Sequence, residues 1–485
     1  MSDALKGLQP ALVWKYFGEI ARIPRCSKSE GQVAAHVMQT ARKLGLEARQ
    51  DAAGNVLVRK PASAGREGAK TVVLQGHLDM VCEKNAGTVH DFTKDPIELV
   101  RKGEVLMANG TTLGADNGIA VATNLAIMED RSLEHGPLEL LFTIDEETGL
   151  TGAANLQPGF LTGKTLLNLD SEEDWAIYVG CAGGGDTIGT WSVVFEDVPR
   201  SFVPLTLTVK GLKGGHSGLE INAGRGNAIK ILNRVLLRLH DLGTRVSTIA
   251  GGNKRNAIPR EASATVWVPA GKEAEARRIV NEMNDTIRAE YLVVDPDLRI
   301  SAGQSAEGGR RVVPKEQQEK ILRGIAALPH GVIKMSADVP GLVETSTNVA
   351  VISTTPDGKI ALATSQRSSV ASEKQEISEM VASVFLLSGA GVEQGSGYPG
   401  WKPNLNSPAL KLATQIYREL FGKECEVKAV HAGLECGIIG ERYPGMDMIS
   451  FGPTLEGVHS PDEKIYIASV EKFWKFLLEI LRRLS

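Results

Sequence analysis

The stretch Thr71-Val72-Val73-Leu74-Gln75-Gly76-His77-Leu78-Asp79-Met80-Val81 joins a nearly unbroken apolar run to a histidine and an aspartate two residues apart. A short continuous apolar run of this kind is the pattern of a strand buried on both faces, which belongs in a sheet covered by helices. Residues i and i+2 of a strand share a face, so Asp79 stands beside His77 and can hold its ring. By itself the segment fits a core histidine bonded to a carboxylate as well as it fits a metal ligand with an orienting partner.

The same arrangement recurs along the chain. Leu138-Glu139-Leu140-Leu141-Phe142-Thr143-Ile144 ends in Asp145-Glu146-Glu147, and Thr165-Leu166-Leu167-Asn168-Leu169 ends in Asp170-Ser171-Glu172-Glu173. Met446-Asp447-Met448-Ile449-Ser450-Phe451 is a further strand, with His459 on a loop beyond it. The glycine-bounded turn Gly110 to Gly118 runs into an apolar helix from Ile119 to Met128 and sets Asp116 at its start, where an N-cap role would also account for it. Open α/β sheets bind ligands outside the carboxyl ends of their strands, and these strand ends gather His77, Asp116, Glu147, Asp170 and His459. Two imidazoles and three carboxylates suit two zinc-like divalent ions, one imidazole each, with one carboxylate bridging. Glu146 is then left beside Glu147, as a general base for a water would be.

From about Phe202 the character changes. Val203 to Lys210 alternates as a half-exposed strand, Gly224 to Leu239 is an amphipathic helix, Ala262 to Val268 a strand and Lys272 to Ala289 a helix, the order of a ferredoxin-like unit. A second such half is expected around Thr347–Ile352, Lys359–Thr364 and the helix Ser372–Leu387. The glycine cluster Gly180 to Asp186 lacks Gly-Lys-Ser/Thr and a following helix, so it reads as a crossing between domains. The expected architecture is α/β: a catalytic domain from 1–186 and 401–485, with a mixed central sheet flanked by helices, and an inserted α+β domain over 187–400 with two ferredoxin-like halves.

With 42% apolar and 23% charged residues, the 485-residue chain has the balance of an ordinary globular protein. A net charge of −4 and a pI near 6.2 exclude the basic field that broad nucleic-acid binding needs. Five scattered cysteines, odd in number and without a Cys-x-x-Cys pair, predict neither a disulfide framework nor a thiolate zinc site. The first helix has apolar residues Leu12, Val13, Trp14, Phe17, Ile20 and Ala21 at helical spacing, unlike a secretory signal, and no apolar run is long enough to span a membrane. A cytoplasmic protein is expected.

The order of these motifs resembles the zinc aminopeptidase, carboxypeptidase and aminoacylase family of metallopeptidases. It is carried by Gly76-His77-Leu78-Asp79, Gly114-Ala115-Asp116-Asn117-Gly118, Asp145-Glu146-Glu147, Leu169-Asp170-Ser171 and His459-Ser460-Pro461. The phrases Gly211-Leu212-Lys213-Gly214-Gly215-His216-Ser217-Gly218, Asn256-Ala257-Ile258-Pro259-Arg260 and His431-Ala432-Gly433-Leu434-Glu435-Cys436-Gly437 look like its dipeptidase branch, and the likeness covers nearly the full length.

The resemblance implies one ion on His77, Asp116 and Asp170 and another on Asp116, Glu147 and His459, with Asp79 orienting His77 and Glu146 as general base. The ions would be zinc, with manganese or cobalt compatible with the same ligands. The resemblance also implies that the insert is a lid, with His216 reaching the developing oxyanion and Arg367 the substrate carboxylate; Asn256, Asn348 and Glu435 are further substrate candidates, Glu435 towards a free amine. Plainer accounts exist for a turn histidine, a strand-edge arginine and a structural Glu435. The implied activity is hydrolysis of dipeptides with a free amino terminus, beta-alanyl-histidine included. An aminoacylase or carboxypeptidase of the same family is the nearest alternative. A non-catalytic peptide-binding protein on the same scaffold is an alternative of another class, opposed by the presence of all five ligands and the base. One feature departs from the family: the usual lid carries Asn-x-Ile-Pro and its arginine strand in one unit, whereas here Arg367 falls in the second half. A doubled lid could complete the site within one chain, leaving a homodimer open but not required.

Overall fold

Strands Leu138–Thr143, Val72–His77, Thr165–Asn168 and Asp447–Ser450 lie side by side and parallel in the computed structural model, which describes residues 3–305 and 310–485. They form the middle of an eight-stranded sheet, extended by Val56–Lys60 and Glu47–Gln50 on one side and by Ala176–Cys181 and Glu426–Val430 on the other. Every residue of Val72–His77 and Leu138–Thr143 is buried, as strands covered on both faces require. Helix Gly31–Lys43 packs on Val56–Lys60, Ala115–Glu129 on Val72–His77, and Pro408–Phe421 on Asp447–Ser450. The last helix, Ile467–Arg483, buries Val470, Phe473, Phe476, Leu477, Ile480 and Leu481, an apolar stripe at spacings of three and four. Gly76 lets helix Ala115–Glu129 approach closely: a Cβ there would lie 2.5 Å from Asn117 Oδ1 and 2.6 Å from Ala120 Cβ. A smaller antiparallel sheet joins Leu99–Lys102, Val105–Ala108, Lys464–Tyr466 and Leu455–Glu456.

These elements belong to one compact unit, Met1–Gly180 with Pro403–Ala429 and Leu434–Ser485. The other unit is Cys181–Lys402 with Val430–Gly433. It is built on a nine-stranded sheet in the order Arg299–Gln304, Val203–Lys210, Ala262–Val268, Arg245–Gly251, Val343–Thr354, Lys359–Ser368, Gly183–Ser192, Gly391–Gln394, with Gly331–Met335 also paired to Val343–Thr354. The first four, with helices Ala228–His240 and Glu273–Tyr291, have the βαββαβ order of a ferredoxin-like unit. The second half repeats it with helices Lys315–Ala327 and Ala371–Leu387, but its first strand is Gly183–Ser192, so the first half is nested inside the second.

That strand corrects the reading of the glycine cluster as a crossing only. Gly183 to Asp186 pair with Ser365 to Ser368, and a Cβ at Gly184 would lie 2.7 Å from the Tyr398 ring, so the glycines let the segment around Tyr398 lie against the strand. A second correction concerns the cysteines. Cys26 and Cys82 form a disulfide with a Cα–Cα distance of 5.7 Å. Their 56-residue separation conceals the pair in the sequence; Cys26 bridges to Met80, and the Met80 N–H donates to Arg25 O at 3.1 Å, which brings the two segments together. The cysteines therefore lend no support to a reducing compartment.

Candidate functional site

The carboxyl ends of the parallel strands deliver most of the site. His77 is the last residue of its strand, Glu146 and Glu147 open the short helix Glu146–Gly149 after Leu138–Thr143, and Asp170 follows Thr165–Asn168. His459 comes from the loop beyond Asp447–Ser450 and adopts a positive φ of 61°. Asp116 comes from the turn into helix Ala115–Glu129, where Asp116 and Asn117 depart from helical geometry and the peptide between them is cis. Asn117 fastens this turn to two strands: its Oδ1 accepts from the His77 N–H at 3.2 Å, and its Nδ2 donates to Leu169 O at 2.9 Å.

Asp116 stands between the two imidazoles. Its Oδ1 is 3.1 Å from His77 Nε2 and its Oδ2 3.2 Å from His459 Nε2. Asp170 Oδ1 lies 3.3 Å from His77 Nε2, and Glu147 Oε2 lies 2.9 Å from His459 Nε2. Ligand atoms of His77, Asp116 and Asp170 fall within 4.8 Å of one another, as do those of Asp116, Glu147 and His459. The two groups share Asp116, so the set can hold two cations with one bridging carboxylate. Glu147 Oε1 is buried without a hydrogen-bond partner among the described residues, an acceptor that a cation would satisfy.

The electrostatics agree with that chemistry. Burial opposes charge on His77, yet Asp170, Asp116 and Asp79 raise its imidazole well above the usual range. Hydrogen bonds to Asp116 and Glu147 push His459 up to about 11. Burial also acts on Asp116, but His459 and His77 hold it below the ordinary carboxylate range, while burial raises Asp170 to about 6. The cluster thus retains protons near neutrality, and divalent cations binding there would displace them. Burial lifts Glu146 well above its ordinary value, the direction expected of a carboxylate that accepts and returns a proton near pH 7.

Asp79 meets His77 at the ring nitrogen opposite the one that faces Asp116. Its Oδ1 lies 3.2 Å from His77 Nδ1, and it accepts from the Glu146 and Glu147 N–H groups at 3.1 and 3.2 Å and from Ser27 Oγ at 2.8 Å. These bonds hold its carboxyl down at about 2 against the effect of burial, with the His77 bond the largest contribution. It fixes which His77 nitrogen faces the cluster and anchors the turn carrying Glu146. Asp79→Ala should lower metal affinity by about 10–100-fold with the fold retained; chelator competition checks this, and unchanged affinity with full activity would overturn the role.

Glu435 is fully buried in the first turn of a short helix, Glu435–Arg442. Its Oε2 accepts from Gln75 Nε2 and Thr143 Oγ1, both at 2.6 Å, and burial raises its carboxyl to about 8. Its Oε1 has no hydrogen-bond partner among the described residues.

The other four candidates lie in the inserted unit. His216 pairs in register with Ala257, and its Nδ1 accepts from the Gly218 and Leu219 N–H groups at 3.2 and 3.1 Å. An Nδ1 acting as acceptor puts the proton of the neutral ring on Nε2, making that atom a donor. Asn348 is buried and donates to Ala257 O at 2.7 Å, so its amide holds the segment carrying Asn256, whose own carbonyl accepts from Ser217 N–H at 2.8 Å. Arg367 is buried, with Nη1 donating to Tyr398 Oη at 3.1 Å. His431, bonded through Nε2 to Ser346 Oγ at 2.7 Å, is pushed down to about 3 by burial and by the nearby charge of Arg367.

Asn117, Gln75, Tyr398, Arg25 and Glu463 also bond to site residues or to the segments that carry them, and no motif in the sequence singles them out. The last two act on backbone atoms, which no side-chain motif reports.

The family model for peptidase family M20/M25/M40 matches residues 73–483. The chain is 44% identical over 481 residues, 99% of each protein, to the cytosol non-specific dipeptidase of Escherichia coli (strain K12). The crystal structure of aminoacylhistidine dipeptidase from Vibrio alginolyticus superposes with a TM-score of 0.90 at 42% identity, covering 99% of this chain and 98% of that one. Aminopeptidase PepT from Bacillus cereus ATCC 10987 shares the fold at 15% identity, with a TM-score of 0.57 and coverage of 98% and 99%.

Proposed function

Because the chain belongs to peptidase family M20/M25/M40, we propose that it is a metal-dependent dipeptidase that cleaves dipeptides with a free amino terminus, aminoacyl-histidine peptides among them. The names of the Escherichia coli and Vibrio alginolyticus relatives support the substrate class. The observation that carries the chemistry is the Asp116 carboxylate, with one oxygen turned to His77 and the other to His459.

In this reading His77, Asp116 and Asp170 hold one divalent cation and Asp116, Glu147 and His459 the other, zinc being the first choice by donor type. Bound there, the two ions would polarise the peptide carbonyl and lower the pKa of a water towards neutrality. Glu146 takes the proton of the attacking water and delivers it to the leaving amine. The raised affinity of its carboxyl for protons supports both halves of that task. His216, with Nε2 as donor, is assigned the developing oxyanion, and Arg367 the substrate carboxylate. Glu435, with a buried oxygen lacking a partner, is assigned the substrate ammonium; Asn256 and Asn348 complete recognition, Asn348 by holding the segment around Asn256. A site that captures both termini rejects longer chains by leaving buried polar groups unpaired.

The test is a rate panel with the purified protein loaded with zinc, manganese or cobalt. Free dipeptides, including beta-alanyl-histidine, should exceed longer peptides and N-acylated dipeptides in kcat/KM by about 100-fold or more. Chelation should abolish turnover and metal should restore it. Comparable rates on long peptides overturn the dipeptidase reading, and a preference for N-acylated substrates would make the chain an aminoacylase. The cytosolic relative supports a cytoplasmic location, with the Cys26–Cys82 disulfide standing against it; the same assay on fractionated cells decides.

A further inference from the structure

We propose that Glu463 is a positioning residue that sets Asp116 and ties the loop carrying His459 to the turn carrying Asp116. The inference rests on the two-cation reading above and names a part of that site that does not touch the ions.

The Glu463 side chain is buried, and its carboxylate accepts four consecutive backbone N–H groups. Leu113 and Gly114 donate to Oε2 at 2.7 and 2.9 Å, and Ala115 and Asp116 donate to Oε1 at 2.7 and 3.2 Å. An ionised carboxylate offers about four acceptor sites, so this turn uses all of them, through charge-assisted bonds. Four successive N–H groups converge on one carboxylate only where the chain curls around it. Gly114 supplies the curl with φ at +69°, and a Cβ there would lie 2.5 Å from Arg25 Nη2.

Arg25 grips the same turn from its carbonyl side. The buried guanidinium donates through Nη2 to Gly114 O and through Nη1 to Leu78 O and Asp79 O at 3.0 and 2.8 Å. The turn that aims Asp116 is therefore held by a carboxylate on its N–H groups and by a guanidinium that also fixes the end of the His77 strand.

Glu463 in turn is placed by two constraints. Directly after it, Lys464, Ile465 and Tyr466 pair with Met107, Leu106 and Val105, the strand that leads into the Asp116 turn. Just before it, the loop from His459 is closed on itself: Ser460 Oγ donates to Gly457 O at 2.7 Å, and the Glu463 N–H donates to Ser460 O at 3.1 Å. A displacement of Glu463 would move His459 as well as Asp116. One carboxylate thus governs the bridging ligand and one terminal ligand, and its loss should weaken both cation positions.

Glu463→Gln tests this, because it keeps the volume but leaves one acceptor oxygen and turns an NH2 towards two N–H donors. Chelator competition with zinc alone should give about 10–100-fold weaker binding of both ions than in wild type. The visible spectrum of the cobalt form should change, and kcat should fall with KM for a dipeptide kept. A fall in the melting temperature of the metal-free variant with wild-type metal affinity and cobalt spectrum would make Glu463 an ordinary structural cap and overturn the proposal. Should the variant not fold, hydrogen exchange on wild-type metal-free protein decides: the amides of residues 113–116 should be protected, and exchange at exposed-loop rates would overturn it. Binding of fewer than two ions by the wild type would count against the two-cation reading instead, so the two failures are distinguishable.

Discussion

Asp116→Asn protein is expected to hold at most one cation per chain and to lose more activity than the roughly 100-fold that removal of an outer partner such as Asp79 costs. The present carboxylate serves both imidazoles, with oxygens 3.1 Å from His77 Nε2 and 3.2 Å from His459 Nε2. An asparagine keeps one acceptor oxygen, so one of those imidazoles loses its shared partner, and the negative charge between the two cations disappears. The backbone of the turn is held independently by Glu463 and Asn117, so the variant should fold. Metal stoichiometry by atomic absorption and turnover of a dipeptide check this together. Two ions per chain at wild-type affinity would show that Asp116 does not bridge.

Glu146→Gln should do the opposite: keep both ions and lose the reaction. Neither imidazole pairs with Glu146, and its contact to Asp79 runs through the backbone N–H, which the substitution leaves in place. What is removed is a carboxyl whose affinity for protons burial has raised, and a glutamine can neither take the proton of the attacking water nor return it to the leaving amine. General acid–base catalysis contributes about 10²–10⁴-fold, so kcat should fall by that factor with KM little changed. A near wild-type rate would show that another group carries the proton.

In the proposed reading, the two variants separate a part that would hold cations from a part that would move protons.

The sequence by itself determined four buried strands and the histidines and carboxylates that follow them; that the four run parallel was decided by their pairing. Each strand is a short local run whose burial is written in its apolar residues, and three of the four lead directly into a histidine or carboxylate, so local pattern pointed to His77, Glu146, Glu147 and Asp170, whereas His459 lies nine residues beyond its strand. The nesting of the inserted unit could not be read in this way. Its second half begins with Gly183–Ser192, whose pairing with Lys359–Ser368 spans more than 160 residues, and a glycine-rich strand resembles a turn until its partner is known. The Cys26–Cys82 bond depends likewise on two distant segments running side by side. Glu463 and Arg25 were decided by tertiary structure alone, because their partners are main-chain N–H and C=O groups that every residue type carries. Which carboxylate or guanidinium meets those groups depends on how the chain curls in space, and a list of side chains holds no record of it.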